Sequence, residues 1–176
     1  MKKNIPNQTY NASLLSGFPE ALVQIDVFTL LGLENLDAEK KAEFFTQMQE
    51  NILLDFLGTT LPECLTTEDF ERVKKMIEEQ KDFNAVMLFI QEHIPYFNDL
   101  LFAKTLAYKK KSFVDYLDVL GKITRRKLQI HKVEKKGQQV LQRQLELVEK
   151  LQQLVASEQW DEVIPLLPEF NQTMKA

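Results

Sequence analysis

The chain has 176 residues, 44% apolar and 27% charged, with 5 Gly and 6 Pro, which excludes disordered and fibrous classes and suits one globular domain, with or without an extension. One cysteine, Cys64, excludes an intrachain disulfide framework. The net charge of −4 conceals an uneven spread: residues 1–103 hold 8 Lys+Arg against 17 Asp+Glu, residues 104–136 hold 11 against 3, and residues 137–176 hold 3 against 6.

Residues 1–16 are polar and aperiodic and read as a flexible tail. The segment after Lys2 and Lys3, NIPNQTYNAS, is too polar for the apolar region of a signal peptide. Glu92, His93, Pro95 and Asp99 interrupt the most apolar stretch, residues 83–107, so membrane association is not expected and a cytoplasmic location is. Pro19 suits a first helical position, and Leu22, Ile25, Phe28 and Leu31 then supply an apolar face that Gly32 ends. A second helix starts at Asp37 and recurs through Phe44, Phe45, Met48, Ile52, Leu53 and Phe56 to Gly58, with a loop around Pro62 after it. Thr66 or Thr67 caps a third helix, whose positive end Glu68 and Asp69 favour. Asp82 opens a fourth, running to His93, before Pro95 breaks it.

From Tyr96 to about Ala156 the periodicity predicts one long helix, or two joined near Gly121. Ser157 then caps a short last helix that Pro165 and Pro168 keep irregular. No strand or hairpin pattern occurs, so the expected fold is all-α. Eleven of the 12 Phe residues lie within residues 18–113, and none of residues 121–157 is aromatic. The expected architecture is a Phe-rich helical bundle over residues 17–120, followed over 121–176 by a long amphipathic helix and a short C-terminal helix.

The segment Leu65 to Phe113 reads LTTEDFERVKKMIEEQKDFNAVMLFIQEHIPYFNDLLFAKTLAYKKKSF. With the preceding LLGLENLDAEKKAEFFTQMQENILLDFL it resembles a small helical domain family of unknown function, common in candidate-phylum bacteria. The matching residues are Leu65, Thr66, Glu68, Asp69, Ile94, Pro95 and Phe97, and the resemblance covers about residues 20–120. It implies a helical fold and a bacterial lineage and assigns no activity.

Catalytic and metal-binding equipment is sparse. His93 and His131 are 38 residues apart, without the H-E-x-x-H or Glu-x-x-His spacing that places several ligands on one face. Cys64 shows no partner that would make its thiol a nucleophile. Carboxylate pairs such as Glu78–Glu79 fit a solvated helical face, and no Gly-rich phosphate loop occurs. The expectation is therefore a protein that is not an enzyme, with no cofactor, metal or small-molecule substrate.

Two surfaces remain as candidates. A heptad register from Ile123 to Leu154 places Ile123, Ile130, Leu151 and then Val133, Val140, Leu147, Leu154 on an aliphatic stripe. That stripe predicts a non-enzymatic protein–protein interaction or assembly module, coiled-coil-like, bound to a second copy or another helical protein. Lys104, Lys111, Lys122, Arg125, Arg126 and Lys136 lie within about 65° of one direction on the long helix and define a basic face. They make nucleic-acid binding through phosphate contacts the alternative. The absence of aromatics between Gly121 and Ser157 weighs against base stacking.

Overall fold

The protein, seen in a computed structural model that describes residues 17–130 and 135–175, is all-α, with no strand among those residues. In chain order the helices are α1 (Glu20–Gln24), α2 (Val27–Leu30), α3 (Ala38–Asp55), α4 (Leu61–Cys64), α5 (Thr67–Glu78), α6 (Phe83–His93), α7 (Phe97–Ile130), α8 (Lys135–Ala156) and α9 (Trp160–Met174). They gather into two compact units. One is Glu39–Thr105, and the other joins Phe18–Ala38 to the chain from Leu106 onward. The division expected at residue 120 thus falls after Thr105, and residues 18–38 belong with the late helices rather than with residues 39–105.

The first unit is assembled from consecutive helices with clear local signals. Thr66 caps α5, its Oγ1 accepting from the Asp69 backbone N–H at 3.2 Å and donating to Asp69 Oδ2 at 2.6 Å. Ile94, held extended before Pro95, stops α6 as expected. The helix predicted to end at Gly58 instead continues through a π-helical turn, Phe56–Thr60, into α4. Thr59 Oγ1 donates to the Asp55 carbonyl at 2.7 Å in that turn, and Pro62 fits the first turn of α4, where its missing N–H goes unneeded. Phe56, Leu61, Val73, Phe89, Ile90, Ile94 and Phe97 fill the core, Phe56 and Phe97 meeting edge to face at 5.3 Å.

The second unit begins with a break that apolar periodicity does not show. Ile25 is extended, and Asp26 restarts the helix as a cap, its Oδ1 accepting from Phe28 N–H at 2.8 Å. Helix α7 does not break at Gly121, which lies inside it; residues 131–134 are outside the described residues. Helices α7 and α8 run antiparallel, with Gln152 donating to Asp118 at 2.6 Å and Arg125 to Glu149 at 3.0 Å. A Cβ at Gly121 would stand 3.4 Å from Val148 Cγ1, at van der Waals contact, which marks the close approach of the two helices. Helix α9 runs unbroken through Pro165 and Pro168, contrary to the expected irregularity, because both prolines face solvent while Val163, Leu167 and Phe170 bury the other side. It starts at Trp160 after Gln159 rather than at Ser157. Trp160, Phe113 and Phe170 are all but fully buried. Each contributes about 1.5–3 kcal/mol of apolar transfer.

Candidate interaction surfaces

The aliphatic stripe divides once the chain has folded. Leu147, Leu151 and Leu154 are 3%, 0% and 7% exposed and lie in the core of the second unit. The expectation that they await a second chain is corrected: α8 folds back on α7 and packs against α9, and the chain covers these side chains itself. Gln144, one heptad before Leu151, gives its amide to the Thr173 carbonyl at 2.8 Å. Ile123 and Val140 remain exposed. Val133 and the side chain of Ile130 lie outside the described residues.

The basic face is also partly consumed within the chain. Lys104 binds Asp55 at 2.8 Å, Lys111 pairs with Asp115, and Arg125 pairs with Glu149. Lys104 holds the Asp55 carboxyl below its usual range, chiefly by that hydrogen bond. Lys110 does the same for Glu158. Lys122 and Arg126 are exposed and make no ion pair among the described residues, whereas the Lys136 side chain is not described.

Lys109, in the middle of this basic run, has the opposite fate. Its ammonium is buried and donates to the carbonyls of Leu22, at 2.6 Å, and Ile25, both at the C-terminal end of α1. Burial lowers its pKa, while Asp26 opposes the change. A cation at the negative end of a helix satisfies carbonyls that have no intrahelical donor. Lys109 stands three residues after Leu106 and four before Phe113, so helical periodicity places it, and not Lys110 or Lys111, on the face of α7 that is buried.

His93 and Cys64 are accounted for by structure. The His93 ring stacks on Phe89 at 4.0 Å, its Nδ1 lies 2.7 Å from the Phe89 carbonyl, and its Nε2 is 3.7 Å from Asp69 Oδ1. Burial, with Glu63 adding to it, pushes the half-buried Cys64 thiol up, away from nucleophilic character. No group of three or more His, Cys, Asp or Glu that could hold a metal occurs among the described residues, and no described helix is long and apolar enough to cross a membrane.

Sequence reasoning missed an apolar groove in the first unit, of about 540 Å³. Helix α3 forms one wall through Phe45, Met48 and Ile52, at the three- and four-residue steps that share a helical face, with Leu53 next to them. Phe83 and Met87, one turn apart on α6, form the other wall, and Leu101 and Thr105 of α7 also line it. Phe45 is 40% and Phe83 55% exposed, so two aromatic rings stand at its mouth. The available signal was the width of the α3 stripe, in which Phe44, Phe45, Met48, Ile52 and Leu53 cover more of the helix than one neighbour buries.

These features define an all-α protein with an apolar groove in its first unit, while Ile123 and Val140 of the predicted stripe also remain exposed. Set against known protein families, curated proteins and solved structures, the chain has no match.

Proposed function

We propose that this chain is a non-enzymatic helical interaction module and that its contact surface is the groove between α3 and α6. The observation that carries this reading is the exposure of Phe45 and Phe83 at the mouth of a cleft lined by Met48, Ile52, Leu53, Met87 and Leu101. Contiguous exposed apolar surface with polar residues at its edge is typical of sites that bind another protein. Methionines in such a wall adapt to the shape of an incoming side chain. Thr46, Gln49 and Glu50 supply the polar margin. A groove between helices suits an amphipathic helix, which buries anchors at three- and four-residue spacing.

The test is affinity capture after cross-linking in the cells of origin, with the wild-type chain beside Phe83→Glu. The expected result is a protein retained by the wild type and lost with the variant, whose thermal melt is unchanged. Identical capture by both chains overturns the groove as the contact surface.

A further inference from the structure

The first half of α7 neutralises its cations within the chain. Lys104 pairs with Asp55, Lys110 with Glu158 and Lys111 with Asp115, and the Lys109 ammonium is buried against carbonyls. The second half does not. From Val119 to Ile130, α7 carries Lys122, Arg125, Arg126 and Lys127 and no acid, and among the described residues only Arg125 of these has a carboxylate partner, Glu149. Lys122, Arg126 and Lys127 stand exposed. Independently of the groove, we propose that this end of the α7–α8 hairpin binds the phosphate backbone of duplex nucleic acid without reading its sequence.

The fold of the second unit concentrates this charge. Helix α8 returns antiparallel to α7, so Lys135 and Lys136, which open α8, come to the end where α7 finishes. Between Val119 and Arg143 the chain holds eight Lys+Arg and one acid, Glu134. The first turn of α8 contains no acid, although the helix dipole favours a carboxylate there. Cations at a positive helix end repel it, and a bound phosphate relieves both. Lys122, Arg126 and Gln129 follow one another at steps of four and three. That face of α7 points away from the buried side of Phe113, Leu117 and Thr124.

The class of partner follows from the other side chains present. Single-strand binders stack bases on aromatic rings, and none of residues 121–157 is aromatic. An amphipathic helix at a membrane surface sinks its whole apolar face into lipid, whereas Phe113 and Leu117 of α7 and Leu147, Val148 and Leu151 of α8 are buried inside the unit. Val119 and Ile123 stay partly exposed, two aliphatic side chains where such a helix needs a wide face. What this end offers is Lys and Arg, with exposed Gln138, Gln139 and Gln142 as neutral donors. Such donors suit phosphate oxygens, which a duplex presents in a regular row and which carry no sequence information.

The test is fluorescence anisotropy of the full chain with short labelled DNA duplexes of two unrelated sequences, between about 50 and 200 mM salt. Both duplexes should bind alike, with Kd of about 1–100 μM at physiological salt and a steep loss as salt rises. Lys122→Gln with Arg126→Gln should weaken binding about tenfold and make the salt slope shallower by about 2. Lys74→Gln with Lys75→Gln makes the same charge change on α5 and should leave binding as it is. A gain of binding separates the proposal from a folding defect. The Arg125–Glu149 pair is exposed on both sides, so Arg125 can exchange Glu149 for a phosphate. Glu149→Gln should therefore tighten binding and steepen the salt slope by about 1.

No binding at the lowest salt overturns the proposal. So does an equal loss in the α5 control, which would make net charge the only determinant. Tighter binding to the single strand than to the duplex overturns the choice of partner. So does binding to vesicles that contain phosphatidylserine when the duplex is not bound.

Discussion

The two units are closed in different ways. The described part of the first unit is residues 39–105 together with Gly17, and local signals such as Thr66 and Pro95 start and stop helices within it. The second joins two stretches that the whole first unit separates in sequence, and long-range polar contacts fasten them. Lys109 donates to Leu22 and Ile25, and Asn171 donates to the Thr29 carbonyl at 2.9 Å. The first unit leaves apolar surface open at the groove, while the second encloses Trp160, Phe113 and Phe170. Local closure satisfies each helix against its sequence neighbours and need not cover every face. Non-local closure has to offset a larger loss of chain entropy, and it does so with more complete burial.

This contrast can be broken most forcefully in the second unit. Trp160→Ala removes a fully buried indole and should cost about 3–5 kcal/mol in a chemical denaturation experiment. A cost below about 1 kcal/mol, the range of surface changes, would mean that Trp160 is no core anchor. Next in size is Lys109→Ala. It leaves two helix-end carbonyls without a donor and should cost about 1–3 kcal/mol. Amide exchange should quicken in α1 and α2 while α5 and α6 stay protected; unchanged exchange in α1 would show that the ammonium does not hold that segment.

The pH dependence of Lys109 follows from burial. Its folded-state pKa is depressed, so above that value the unfolded chain binds the extra proton. Stability should therefore rise with pH from the lowered folded value up to the ordinary lysine value. That alkaline gain should be absent in Lys109→Met, compared with wild type by urea unfolding at several pH values.

Smaller effects come from the surface. Lys110 lowers the Glu158 pKa, so the pair's contribution is present above the ordinary carboxylate value and lost as pH falls through the folded one. Glu158→Gln should cost less than about 1 kcal/mol at neutral pH, because both side chains are partly exposed. It should also reduce the acid-side slope, and an unaltered slope would remove Glu158 from the account. The smallest change is expected at the groove. Phe83→Ser should shift stability by no more than about 0.5 kcal/mol, since the ring is more than half exposed. A larger loss would make Phe83 part of the fold rather than part of a contact surface.

The candidate sites were legible unevenly. The same periodicity that revealed the stripe through Leu147, Leu151 and Leu154 could not say what covers it, and α7 and α9 do. Lys104, Lys111 and Arg125 stand on a basic face by helical arithmetic, but their acidic partners lie four to 49 residues away in the chain. The groove residues Phe45 and Met48 were visible in an apolar stripe but not as exposed surface, while Ile52 beside them is buried. The cap at Asp26 was hidden because an apolar pattern continued across it.

By itself the sequence determined that the chain is helical, where Thr66 and Pro95 start and stop helices, and which faces are apolar. These are consequences of caps, proline sterics and a 3.6-residue period, all of which act over a few residues. Only the tertiary structure decided that α8 returns along α7, that the Lys109 ammonium meets the carbonyls of Leu22 and Ile25, and that Phe45 and Phe83 stand exposed at a groove. An apolar face carries a free-energy demand for cover that is non-directional and can be met by any apolar surface. Which surface meets it depends on where the whole chain goes.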